Sequence, residues 1–206
     1  MFDQIAIETR RMPPDPEEAG VFLARKAMEV GLVRFADLDE IAAFQSRVRF
    51  ASEHGPVAPL DDVAVEAALA SIATGLKSFA ELEAAARSSA LLRAIEQQMP
   101  SVTRRLLDEV APLSIRLPRG RLARVHYEPN QPPWIASRLQ DFFGMRETPA
   151  VGRGAVPVVV RLLAPNQRPV QMTTDLAGFW QRLYPQVRKE LSRRYPKHAW
   201  PENPFG

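Results

Sequence analysis

Residues 174–204 read TDLAGFWQRLYPQVRKELSRRYPKHAWPENP, a spacing that predicts two short helices and then an extended, proline-punctuated tail. Thr174 is placed to cap the first helix, with Asp175 in the first turn, where a carboxylate suits the exposed N–H groups. Leu176, Phe179, Trp180 and Leu183 recur at i, i+3, i+4 and i+7, one apolar helix face. Pro185 fits the first turn of the second helix, where its missing N–H costs nothing. There Tyr184, Val187, Leu191 and Tyr195 form the inward seam, and Lys189 and Arg193 point away, one helical turn apart. Like charges at that spacing weaken a helix by roughly 0.2–0.5 kcal/mol, a cost that an anionic partner removes. Arg182, Arg188, Lys189, Arg193, Arg194 and Lys197 stand against Glu190 alone. Such a run is either a solvated face that serves solubility or a phosphate-contacting surface.

Upstream of this stretch the periodicity is that of strands. Ile115 and Leu117 alternate with Ser114 and Arg116; beyond the turn Pro118–Arg121, Ala123, Val125 and Tyr127 alternate with Arg124 and His126. A glycine-containing turn between two such runs predicts a β-hairpin with Arg116, Arg124 and His126 on its polar face. Pro132-Pro133 leads into a predicted helix over 134–143, stopped by Gly144. Residues 156–163, VPVVVRLL, are apolar on both faces, as in a central strand. Residues 165–169 turn that strand into Val170-Gln171-Met172, a second hairpin. Residues 113–206 therefore read as an α+β unit.

Residues 15–112 read instead as a helical connector bundle. Asp15 caps a helix with Pro16 at its first position, and Gly31 stops it. Asp37 opens a second helix through about Glu53, with Leu38, Ile41, Phe44, Gln45 and Val48 on its inner face. A third runs from about Asp61 to Thr74, an alanine-rich fourth from Ser78 to about Met99, and a fifth from Pro100 to Val110. The fold class expected is thus α+β, an N-terminal helical bundle followed by a small mixed α/β domain with β-hairpins. Residues 2–10 resemble one strand with no partner nearby. It reads as the last strand of an upstream domain over residues 1–14, an OB-like fold being one candidate, or as a strand that joins the C-terminal sheet.

Asp175-Leu176, Phe179-Trp180, then Val187-Arg188-Lys189-Glu190-Leu191, then Arg194-Tyr195-Pro196-Lys197-His198-Ala199-Trp200-Pro201 together resemble the C-terminal signature of HrpB-type bacterial ATP-dependent helicases, relatives of the DEAH-box RNA helicases. Leu117-Pro118, Gly120-Arg121, Tyr127, Pro133, Arg138-Leu139-Gln140, Phe143-Gly144 and Thr148-Pro149 resemble the same family. The resemblance implies the C-terminal accessory region of an RNA helicase. Its partners would be RNA or another single-stranded nucleic acid and an upstream helicase core, in cis or in trans. ATP and Mg²⁺ would belong to that core.

The residues themselves agree with a part that carries no engine. No Gly-Lys dipeptide occurs, so a phosphate-binding loop ending in Gly-Lys-Ser/Thr is absent from these 206 residues. Asp39-Glu40 and Asp108-Glu109 begin like an acidic Mg²⁺ box but lack its histidine and sit in helical patterns. His54, His126 and His198 have no metal-ligand spacing, and zero cysteines exclude disulfides and thiolate chemistry. No catalytic residue, bound cofactor or metal is expected here. With no long apolar run or leader pattern, a cytoplasmic location is the expectation.

Charge places any polyanion contact in the second half. Residues 1–100 carry 10 Lys+Arg against 16 Asp+Glu, a balance of −6; residues 101–206 carry 17 against 8, a balance of +9. Arg116, Arg124, Arg168, Arg188, Lys189, Arg193 and Lys197 are the candidate nucleic-acid-binding residues, chosen on charge and not carried over from the family. The competing reading is a protein-interaction module that recruits the helicase to a partner assembly through the Arg/Tyr/Trp-rich tail, with Trp200 as anchor.

Overall fold

Asp15 starts the first described helix as its sequence position demands: its Oδ1 accepts the Glu17 N–H at 2.8 Å, and α1 (Pro16–Val30) runs until Gly31 turns out at φ 92°. The structure is a computed structural model that describes residues 15–205; the strand expected over 2–10 lies outside them. The same device opens α2 (Leu38–His54), where Asp37 accepts from Asp39 and Glu40, and α3 (Asp62–Ala73), where Asp61 accepts from Ala64. Two further helices, α4 (Phe79–Ala85) and α5 (Ala90–Gln98), replace the single alanine-rich helix expected from Ser78 onward. Ser88 and Ser89 break it, taking left-handed φ of 57° and 61°. Leu82 and Leu91 stand about two and a half turns apart in an unbroken helix, hence on opposite sides. The break lets both be buried, at 0% and 1% exposure. Last of the helical series is α6 (Ser101–Val110).

Packing gathers the chain into two units that do not follow chain order: one holds residues up to Glu40 with Asp61–Gln98, the other Ile41–Leu60 with Met99 onward. The segment expected as a connector, 15–112, contributes to both. In the first unit α1 lies close on α3. A Cβ on Gly20 would stand 3.2 Å from the Thr74 backbone nitrogen, and Ala24, Ala27, Ala68 and Ala73 line the unit's core. Small side chains, not large ones, set that helix–helix distance.

The second unit combines most of α2 and all of α6 with a five-stranded sheet. Phe44, Val48 and Ala51 of α2 and Leu107 and Val110 of α6 are buried. Arg47, absent from the predicted face, is buried too. Its Nε donates to the Ala111 carbonyl at 2.7 Å and its guanidinium meets Asp108. Leu38, expected inside, is exposed, and Gln45 half-buried.

The sheet contains β1 (Ser114–Arg116), β2 (Leu122–His126), β3 (Trp134–Arg138), β6 (Val159–Leu163) and β7 (Pro169–Thr173) in that order. All neighbours are antiparallel except β3 and β6. A separate pair joins β4 (Ala150–Val151) to β5 (Val156–Pro157). Both predicted hairpins form, β1–β2 and β6–β7. The predicted helix over 134–143 does not: residues 134–138 are strand, and Leu139–Phe142 make a 3₁₀ turn. Ile135, Ser137 and Leu139 are buried while Trp134, Ala136 and Arg138 are half-buried, the two-residue period of a strand.

The terminal stretch is continuous: α7 (Leu176–Gly178), a π segment (Phe179–Leu183) and α8 (Tyr184–Arg194). Asp175, rather than Thr174, is the cap, accepting from Gly178 at 2.8 Å. Leu176, Phe179, Trp180 and Tyr184 are buried, but Leu183 is 42% exposed. A π turn closes at i+5 and advances the phase by one residue, so Tyr184 takes the place on the seam that α periodicity assigns to Leu183.

Candidate functional site

Strand register decides which cations share a surface. Arg116 lies opposite Leu122 and Ser114 opposite Arg124, so Arg116 and Arg124 stand on one face of the β1–β2 hairpin. Ala123 and Val125 point the other way into the core. The next pair on the outer face is His126 opposite Trp134. Their rings stack at 3.8 Å with planes 6° apart, and the Arg161 guanidinium carbon stands 3.6 Å from the same indole. Strand β3 lies between β2 and β6, so imidazole and guanidinium occupy opposite faces of Trp134. Arg161 in turn pairs with Met172, which is 58% exposed. A row of His126, Trp134, Arg161 and Met172 thus crosses four strands. A cation over an indole contributes roughly 0.5–2 kcal/mol, depending on how dry the site is.

The row is also held electrostatically. Trp134 Nε1 donates to Glu128 Oε1 at 3.0 Å. Burial first, and then the neighbouring Arg124 and Arg161 charges, hold the His126 pKa below its ordinary 6.5; Glu128 opposes them. The imidazole is therefore mainly neutral at pH 7, and the net positive charge of the face comes from its arginines. Arg161 Nε is buried with no hydrogen-bond partner.

Several cations of this unit are already engaged. Arg121 and Arg138 stand 3.7 and 3.6 Å from the buried Asp141 carboxylate, which also accepts from Ser137 at 2.6 Å. Arg182 meets Asp175 at 2.7 Å, and Arg153 meets Glu109 at 2.9 Å. Among the described residues, no carboxylate lies within 4.0 Å of Arg116, Arg124, Arg161, Arg168, Lys189, Arg193 or Lys197.

The seven cations chosen on charge do not form one cluster. Arg116 and Arg124 belong to the β1 edge of the sheet, whereas Arg168 sits at the tip of the β6–β7 turn, at the opposite edge. Lys189 and Arg193 are exposed on α8, and Lys197 in the turn after it. Arg188 holds the tail instead: its Nε donates to the Trp200 carbonyl at 2.9 Å and its Nη2 to Glu202 at 2.9 Å. That tail is folded back on the unit. Trp200 is 8% exposed with its indole N–H on the Tyr195 carbonyl, Tyr184 donates to Pro201 at 2.7 Å, and Gly144 N–H donates to Pro204.

Trp134 and Arg161 are the residues that sequence reasoning missed. A strand signal was present: Pro132 and Pro133 favour extended backbone before Trp134, and Trp-Ile-Ala-Ser-Arg alternates. Arg161 interrupts an otherwise apolar strand, which marks that strand's outer face.

Comparison with known proteins identifies the family. Residues 69–204 match the family model HrpB_C, "ATP-dependent helicase C-terminal". The ATP-dependent RNA helicase HrpB of Escherichia coli K12 is 43% identical over 98 residues, which is 48% of this chain and 12% of that protein. A crystal structure of the E. coli DExH-box NTPase HrpB superposes with a TM-score of 0.81 at 29% identity, covering 95% of this chain and 25% of the other. A second, of the E. coli DEAH/RHA helicase HrpB, gives 0.55 at 30% identity, covering 77% and 21%. The chain thus spans a quarter or less of the length of the relatives it matches.

Proposed function

The chain belongs to the HrpB-type ATP-dependent helicase C-terminal family, and on that premise we propose that it docks on a helicase motor and extends the nucleic-acid track with a basic surface. ATP and Mg²⁺ belong to the motor in this reading. The observation that carries it is the outer sheet face, where Arg116, Arg124 and Arg161 have no carboxylate within 4.0 Å among the described residues, Glu128 being engaged by the Trp134 indole N–H, and where that indole is wedged between His126 and Arg161. The folding cost of unpaired like charges is offset when phosphates sit between them. Exposed Lys189, Arg193 and Lys197 supply further positive charge from α8 and the turn after it. The competing role, a protein interface anchored by Trp200, draws no support from a side chain already buried and hydrogen-bonded within its own unit.

The test is binding of single-stranded RNA across a salt series. Each phosphate contact contributes a slope of roughly 0.7 log units of affinity per log unit of salt. Arg116→Glu with Arg124→Glu should weaken binding and flatten that slope, and Lys189→Glu with Arg193→Glu should do so independently. Salt-insensitive binding, or charge reversals without effect, would refute the nucleic-acid role.

A further inference from the structure

A cavity of about 260 Å³ opens in the second unit between the C-terminal half of α2 and the loop from β2 to β3. Its walls include Arg49, Phe50, Glu53 and His54 from the helix and Tyr127 and Glu128 from the strand end. Phe50 stacks on His54 at 4.2 Å and 22°, and its ring meets that of Tyr127 at 5.0 Å. The Tyr127 hydroxyl is committed to the Pro112 carbonyl at 2.9 Å, so its ring serves as an apolar wall. Residues 129–133, PNQPP, close the other side with three proline rings and two amides.

We propose that this cavity takes one unpaired nucleobase of an RNA strand lying on the arginine face, an inference that rests on the function proposed above. Three observations select a base. The volume is under the roughly 300–1,000 Å³ of sites for drug-sized ligands, which suits a single planar ring and not a whole nucleotide. Its charged groups are two carboxylates, Glu53 and Glu128, against one guanidinium, Arg49, which disfavours a phosphate inside. The unit that holds the cavity carries 19 Lys+Arg against 9 Asp+Glu, a balance of +10, which attracts a polyanion and repels a free cationic ligand. A strand whose phosphates lie on the arginines and whose base turns into the cavity satisfies both fields. The carboxylates accept hydrogen bonds, so a donating edge fits best, and guanine offers adjacent N1–H and N2–H₂ groups. Glu128 joins the two regions: it lines the cavity and accepts from Trp134 on the outer face.

The experiment compares an RNA oligonucleotide with the same backbone made abasic, using the full chain at low salt. Wild type should prefer the base-bearing strand by about fivefold or more, the low end of what one stacked base contributes. Gln131→Trp, which fills the cavity from an exposed loop position, should abolish that preference without changing the salt slope. Glu53→Gln should reduce the advantage of guanine over uridine. Equal binding of both strands with a normal salt slope overturns the base site and leaves the basic surface standing. Failure of both strands to bind overturns the two together. A lysine-rich peptide that shifts the Trp134 indole N–H resonance in wild type but not in Gln131→Trp replaces the base by a protein ligand.

Discussion

At the residue scale, the stacked His126 ties stability to pH. Its folded pKa is held below the unfolded value of 6.5, so between those values the unfolded chain binds a proton that the folded one refuses. This contribution is intact above 6.5 and is lost as pH falls through 6.5 toward the lowered folded value. The urea midpoint should therefore fall from pH 7.5 to pH 5, and His126→Phe, which keeps an aromatic ring against Trp134, should fall less. Equal drops in both proteins would mean that the imidazole does not titrate differently on folding. Arg188 and Lys189 are neighbours in sequence in different settings, the first holding the tail and the second exposed. Arg188→Ala frees the Trp200 carbonyl and should cost roughly 1.5–3 kcal/mol, the range for a hydrogen bond to a charged group. Lys189→Ala should leave the unfolding midpoint within about 0.5 kcal/mol, as for an unremarked surface position, and should weaken RNA binding. Charge counting cannot separate these two, because the carbonyl that Arg188 serves comes from a tail whose fold-back has no local sequence signal. Arg116 and Arg124 were legible because alternation fixes a face, whereas pairing with Trp134 became visible only when β3 and β6 were brought side by side.

At the element scale, local rules place the starts of α1, α2, α3, α4 and α6, and they fail where tertiary contacts outweigh propensity: at the break before α5, at the strand that replaces a helix over 134–138, and at the Asp175 cap. Strand β3 has a composition that either period tolerates; its place between β2 and β6 decides the matter. The π segment is a further case, since i+3/i+4 spacing is satisfied by Leu176, Phe179, Trp180 and Leu183 in sequence and violated in space. What the extra residue gains is aromatic packing. Tyr184 meets Trp180 at 5.1 Å and 80° and Phe143 at 5.9 Å and 74°, edge-to-face geometries that add roughly 0.5–1.5 kcal/mol each. Burial pushes the Tyr184 hydroxyl up to about 12, with Arg188 opposing, so it remains a donor to Pro201 at any ordinary pH. Leu183→Glu separates the two phases. On the π register it changes an exposed side chain and should shift stability by less than about 0.5 kcal/mol. On an uninterrupted α register the same change would put a carboxylate on the buried seam, with a loss of several kcal/mol in a denaturant titration.

At the scale of the whole molecule, the unit that carries the basic face is not a continuous piece of chain. The family-matched segment, 69–204, leaves out α2, yet α2 supplies Arg47 to Ala111 and Asp108 and Phe50 to Tyr127. Sequence order hides this, because helices of one connector look alike until their partners are known; the buried Arg47, a charge on an otherwise apolar face, is the one local hint. Val110 presses against Gly55, where an added Cβ would lie 2.7 Å from its side chain, so the segment after α2 also fits closely. A fragment of residues 99–206 would then expose Val110, Ala111 and Tyr127 and leave the Ala111 carbonyl without its guanidinium. Uncovering three buried hydrophobic residues forfeits roughly 1–3 kcal/mol each, a large part of the marginal stability of a domain this size. The fragment should therefore bind a hydrophobic dye and melt without a sharp transition, whereas the full chain should not. Adding a peptide of residues 38–60 in trans should restore cooperative melting, and the same peptide with Arg47→Ala should restore less. A fragment that melts cooperatively alone, unchanged by the peptide, would show that the sheet carries its own core and that α2 is dispensable.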